Sequence, residues 1–201
     1  MGYKSLAQTP AHRNGPVNSN VRPHMTPSLC ALYADYNRSL NLRLYEAAAK
    51  LSAEELTKER GAFFGSLFNT MNHIAVADLL WLHRFVTLPG LSTIQDELSH
   101  FPRPTSLREP LSDSLAGLTK LRTGIDTMIV RLASLLTEKL LASTLRYTNT
   151  TGQHHGKNFG LLLHHFFNHE THHRGQASTL LFQAGIDIGV TDFIAHIPSQ
   201  A

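Results

Sequence analysis

The stretch Leu163-His164-His165-Phe166-Phe167-Asn168-His169-Glu170-Thr171-His172-His173-Arg174-Gly175-Gln176 constrains this chain more than any other. It places five histidines within ten residues, inside a run from about Asn158 to Ala184 that reads as one long amphipathic helix. Residues four apart share a helix face, so His169 and His173 aim two imidazoles at one point. Histidine is the commonest metal ligand and binds as the neutral ring, its main form near pH 7. Two ligands on one helix do not complete a metal site. The fold must bring a further ligand from another helix against this face.

The rest of the sequence predicts such helices. Thr26-Pro27 is a helix start, with Thr26 as cap and proline pre-set for the first helical position. Leu29, Leu32, Tyr33, Tyr36, Leu40, Leu44, Ala47 and Leu51 follow at helical spacing. Ser52-Ala53-Glu54-Glu55 has the form of a capping box that opens a short second piece. Residues Ser66 to Val86 read as an apolar-rich helix ended by the Leu88-Pro89-Gly90 break. A connection containing Pro102, Pro104 and Pro110 leads to Ser112-Asp113, a cap with an acidic first turn, and a helix to about Thr137. The Thr-rich stretch Ser143 to Gln153, with its Gly152 turn, reads as extended chain or a small hairpin. Gly185 stops the histidine helix, and Val190 to His196 form a last short turn.

Four long helices with little strand predict an all-α fold, a four-helix bundle with a small extended or hairpin segment before the last long helix. Long connections before the third and fourth helices argue against a simple up-down-up-down order. Residues 26–201 form one domain in this reading. Residues 1–25, with Pro10, Gly15, Pro16 and Pro23 and no buried period, read as a flexible tail or a surface arm whose His12 and His24 are not ligands.

Composition narrows the function classes. At 201 residues with an ordinary apolar share, the chain is globular and large enough for a real core. No apolar run is long enough to span a bilayer and no secretory signal precedes the first helix, so a cytoplasmic protein without a membrane partner is expected. The single cysteine, Cys30, fits a reducing compartment and reads as a buried inert thiol. The net charge is only +3, and Lys and Arg are scattered, so nucleic acid is not an expected partner.

The third metal ligand is best sought on the second long helix, where His73 lies among Leu67, Met71, Ile74, Leu79 and Leu80. Alone it would read as a satisfied core histidine. Coupled to a two-histidine face on a neighbouring helix, it is the strongest candidate. His83 lies about 15 Å further along that helix and cannot share the same metal.

His169-Glu170-x-x-His173 also matches the zinc-protease string, with Glu170 as general base. The extended form of that motif fails at Gln176 and Thr179, and Glu170 sits about 100° around the helix from His169, which turns it toward solvent. Glu170-x-x-His173 imitates one half of a di-iron motif, but no second unit exists, so the site is mononuclear. His165, one turn before His169, is placed to contact substrate or a bound water. His164 and His172 read as partly exposed. Arg174 reads as an ion-pair or interface residue, and Gly175 as permitting close helix packing.

These residues resemble the DinB-like (YfiT-like) family of metal-binding four-helix bundles over nearly all of residues 26–197. The resemblance is carried by Tyr36-Asn37-x-x-x-Asn41, Asn72-His73-Ile74-x-x-x-Asp78-x-x-Trp81-Leu82, Asn168-His169-x-x-His172-His173-Arg174-Gly175-Gln176, and Gly185-Ile186-Asp187-x-Gly189-Val190-Thr191-Asp192. It implies an up-down-down-up bundle, a three-histidine site carried onto His73, His169 and His173, and a zinc, nickel or iron ion. It also implies a homodimer and, in some relatives, transfer chemistry with a low-molecular-weight thiol. The expected function is a mononuclear metal-dependent enzyme that activates a thiol or water against a small electrophilic substrate. The alternative is a non-catalytic, stress-related metal or small-molecule binding protein. Glu170, His165 and Tyr36 are the candidates for proton transfer. Asn168 and Asp78 are candidates to orient the imidazoles.

Overall fold

The computed structural model describes residues 25–199. The expected N-terminal tail lies outside the described residues except for Met25, which is buried in the core. Helix α1 (Pro27–Ala48) starts at the expected cap, the Thr26 hydroxyl accepting from the Leu29 N–H at 3.1 Å. Helix α2 (Ala53–Thr57) follows on the Ser52 cap, and α3 (Leu67–Phe85) on a Ser66 cap.

Beyond α3 the chain holds more helix than the sequence predicts. A 3-10 turn (Pro89–Ile94) runs into α4 (Gln95–Leu98), and Leu91, Ile94 and Leu98 are buried. Helix α5 (Leu115–Ser134) starts two residues later than expected, with Ser114 as its cap. Ser112 instead builds the turn before it, its hydroxyl accepting from the Ser114 N–H at 3.3 Å. A Cβ on Gly117 would lie 2.3 Å from that hydroxyl, so this close turn requires glycine. After α6 (Glu138–Leu141), strands β1 (Thr144–Thr148) and β2 (His154–Asn158) form an antiparallel hairpin. Gly152 turns it with a φ of 85°, while the Asn149 side chain accepts from the Thr151 and Gln153 N–H groups. Asn158 ends β2 and caps α7 (Phe159–Gln183), so the hairpin leads directly into the histidine helix. Gly185, at φ 80°, ends it as predicted.

The four long helices close a ring of contacts: α1 packs on α5 and α7, and α3 packs on α5 and α7. Between them Leu67, Met71, Leu79 and Phe85 of α3 meet Leu118 and Ile125 of α5 and Phe159 and Phe166 of α7, all excluded from solvent or nearly so. Each such side chain contributes about 1.5–3 kcal/mol of burial. The chain after α7 returns over α1. The Tyr36 hydroxyl donates to the Thr191 carbonyl at 2.7 Å, and Arg43 donates to the carbonyls of Val190 and Ile188. Among the described residues, no helix is long and apolar enough to cross a membrane.

Candidate metal centre

Helices α3 and α7 bring three imidazoles together. His73 and His173 are buried, and His169 is partly open to solvent. One ligand nitrogen from each lies within 4.8 Å of the others. The ring of His173 sits 4.5 Å from that of His73 and 4.3 Å from that of His169, centroid to centroid. Nitrogens sharing one tetrahedral ion at about 2.0–2.1 Å stand roughly 3.3 Å apart, within reach of small side-chain rotations.

The tautomers also fit. Nδ1 of His73 lies 3.0 Å from the Leu107 carbonyl, which can only accept, so Nδ1 carries the proton and Nε2 keeps its lone pair. Nδ1 of His173 makes the same kind of bond to Oε1 of Gln176 at 2.7 Å. Such outer bonds fix ring orientation and raise ligand basicity. Asn72 anchors the loop that supplies Leu107, donating to the Glu109 carbonyl and accepting from the Leu111 N–H, both at 2.8 Å. Phe64 stacks on His73 at 3.9 Å and walls the site. Burial, then the neighbouring His173, pushes His169 down to about 4, and burial also lowers His73 and His173. All three rings are therefore neutral at pH 7, the form a metal requires. The donor set suits a divalent transition metal.

Other expected residues fall elsewhere. His83 bonds the Pro102 carbonyl at 3.0 Å, and His164 and His172 are exposed. His165 lies at the mouth of the cluster, its ring 6.0 Å from that of His169 and edge-on to Trp81 at 5.4 Å. Tyr36 packs on Phe193 and His196, with its hydroxyl engaged by Thr191. Cys30 is fully buried, and burial followed by the charge of Glu138 pushes its thiol up to about 12, as an inert thiol requires.

Three expectations are corrected. Glu170 does not face solvent: it is 0% exposed and ion-paired to Arg174 at 2.9 Å. Asp78 and Asn168 do not orient the imidazoles. Leu107 and Gln176 do, while Asp78 pairs with Arg122 at 2.6 Å and Asn168 is exposed. Gly175 does not pack against a helix, since a Cβ there would meet nothing within 4 Å.

Sequence reasoning missed a buried polar network behind the histidines. Arg174 of α7 donates to Asn37 of α1, Arg122 of α5 to Asp78 of α3, and Asn41 of α1 to Asp126 of α5 at 2.9 Å. Glu170 meets Asp78, which closes the circuit between α7 and α3. Three carboxylates face two guanidiniums, one negative charge in excess unless a carboxyl is protonated. Burial and the Glu170 charge hold Asp78 well above the carboxylate range. Burial alone would raise Glu170 too, but the Asp78 hydrogen bond and the charges of Arg122 and Arg174 keep it low. The opposed shifts favour Asp78 over Glu170 as the one that carries a proton between them, and Asp78 Oδ1 and Glu170 Oε1 have no other partner. The advance signals were Arg174, read as an ion-pair or interface residue and found paired with Glu170, and the recurrence of Asn37, Asn41, Asp78 and Arg174 in the resemblance motifs.

Helices packed around an apolar core, with three neutral imidazoles converging from two of them, define a class of all-α proteins equipped to hold a metal. The chain belongs to the DinB family, whose family model matches residues 24–200. Neither a curated protein nor a solved structure matches it significantly.

Proposed function

We propose that this DinB-family chain is a mononuclear metal-dependent enzyme that activates a low-molecular-weight thiol or a water for attack on a small electrophile. In this reading His73, His169 and His173 are the ligands. The observation that carries it is the tautomer arrangement: two Nδ1–H groups are tied back to Leu107 and Gln176, leaving Nε2 lone pairs directed into a face where His169 is open to solvent. When bound, a zinc, nickel or iron ion held by three neutral imidazoles keeps its full +2 charge and lowers the pKa of a thiol or water strongly. Phe64 excludes water from one side of the cluster. Of the three proton-transfer candidates, His165 is the one we assign, because Glu170 is held by Arg174 and Asp78, and Tyr36 by Thr191. The burial of Glu170 also removes the base a zinc-protease reading needs. The ring of helix contacts supports an up-down-down-up bundle, and we take the working unit to be a cytoplasmic homodimer.

The test is consumption of chlorodinitrobenzene by metal-loaded protein across a panel of thiols. We expect thiol-dependent turnover, abolished in His73→Ala and reduced about 10²- to 10⁴-fold in His165→Ala. Tight thiol binding without turnover of this or other electrophiles would favour the non-catalytic binder.

A further inference from the structure

We infer that the cavity between α3, the hairpin and the loop after α4 binds the carboxylate or phosphate end of a small elongated molecule whose other end reaches the three histidines. What that far end meets rests on the function proposed above. The anion site stands on its own residues.

The cavity holds about 490 Å³ and is lined by Arg84, Arg103, Arg146, His83, Tyr147 and Thr105, among others. No aspartate or glutamate lines it. Among the described residues, Arg38, Arg60, Arg122, Arg131 and Arg174 make ion pairs and Arg43 and Arg108 donate to backbone carbonyls, whereas these three arginines have neither kind of partner. The carboxylate of Glu109, close by, accepts the Thr105 N–H at 2.8 Å and its hydroxyl at 3.0 Å. Three cations around one hollow, in a chain with a net charge of only +3, form a local excess that calls for an anion.

Arg84 is partly buried and lies over the rings of Trp81 and Tyr147, 4.8 and 5.2 Å from their centroids. The two ring contacts hold the guanidinium in place, and a guanidinium can meet a carboxylate or phosphate bidentately. Arg103 and Arg146 are exposed and can close over a ligand from the loop and from β1.

The cavity lies along the side of α3 that carries His73. Leu80 and Arg84 follow His73 by seven and eleven residues, within about 20° of it around α3 and roughly 10 and 16 Å along it. One loop covers this stretch. Its Pro102 carbonyl bonds His83 and its Leu107 carbonyl bonds His73, each at 3.0 Å, and Arg103 and Thr105 between them line the cavity. Beside the cavity Trp81 touches the lining residue Tyr147 and His165, each at 5.4 Å, and His165 adjoins His169. A ligand spanning both ends needs about 10 Å or a little more, the extended length of a tripeptide.

The test is calorimetric titration of metal-loaded protein at low salt with two probes. S-methylglutathione is an acidic tripeptide whose sulfur is blocked; inorganic phosphate separates phosphate from carboxylate recognition. At least one probe should bind wild type, and raising the salt should weaken it. Affinity should fall about tenfold in Arg84→Gln and at least as much in the Arg103→Gln/Arg146→Gln double variant, whose surface changes spare the aromatic stack. His73→Ala should bind as wild type does. Failure of both probes, or binding that persists in arginine variants with unchanged unfolding midpoints, overturns the site. Binding lost only in His73→Ala also overturns it, since the metal centre alone would then hold the probe. Retained anion binding in a protein without turnover would sink the thiol chemistry and leave the anion site standing.

Discussion

Helix α7 carries two faces whose residues are neighbours in sequence and opposites in physics. His169 and His173 present neutral rings, their free nitrogens directed to a partly open surface. Glu170 and Arg174, one residue on from each, are charged, almost wholly buried, and bonded to Asp78, Asn37 and each other. A charge taken out of water costs several kcal/mol unless paired, so the inner face has every reason to be mutually satisfied. The outer face keeps lone pairs unused, which is what a ligand-binding surface requires. The inner bonds reach all four helix neighbours of the ring, and so hold α3 and α7 in the register that brings His73 to His173. One face is equipped to bind; the other sets the geometry in which binding is possible.

The contrast breaks most readily from the inside. Glu170→Ala or Arg174→Ala leaves a buried charge without its partner and should cost about 3–5 kcal/mol in urea unfolding. Asp78→Asn should cost less than about 1.5 kcal/mol, because an amide donates to Glu170 much as the protonated acid does. Equal losses in Asp78→Asn and Glu170→Ala would show that the shared proton is misplaced. On the outer face, Gln176→Leu removes the bond that orients His173 and should weaken metal binding about 10- to 100-fold in competition with a chelator, with little change in the apo fold.

Acid offers a subtler probe. His169 falls from its ordinary 6.5 to about 4 on folding, through burial and the neighbouring His173, His73 and His165, with Glu170 opposing. Between these values the unfolded chain binds more protons, so this stabilisation is complete above pH 6.5 and lost as pH falls through 4. Asp126 runs the other way. Burial raises it from 3.8 to about 6, so its contribution is complete below pH 3.8 and lost as pH rises through 6. Apo wild type minus His169→Ala isolates the first effect: the stability gap between them should narrow from pH 6.5 to 4. The smallest effect is expected at Gly175→Ala. With nothing within 4 Å, a methyl there should stabilise α7 by about 0.5–1 kcal/mol, seen as a raised thermal midpoint.

What the sequence made legible follows from this contrast. The outer face was readable because a four-residue spacing on one helix is local, and the caps Thr26 and Ser52 were readable for the same reason. Register between helices is not local. The pairing of Asp78 with Arg122, 44 residues apart, has no signature in either segment alone. Glu170 was read as solvent-facing from its offset of about 100° from His169, but that side of α7 turns to the helix ring, where the arginines beside it make its burial possible. The Leu107 carbonyl escaped notice because a backbone acceptor has no residue type to betray it. The short helix Gln95–Leu98 forms because its leucine reaches the core, although four residues carry too little periodicity to announce a helix.

The most direct test of a three-histidine centre is metal content by elemental mass spectrometry on tag-free protein purified without added metal. Wild type would be compared with His73→Ala, His169→Ala and His173→Ala. About one first-row transition metal per chain is expected in wild type, lost in all three variants while their helical content is retained. Wild type that carries no such metal and takes none up on titration, or variants that retain it, would contradict the centre built from α3 and α7.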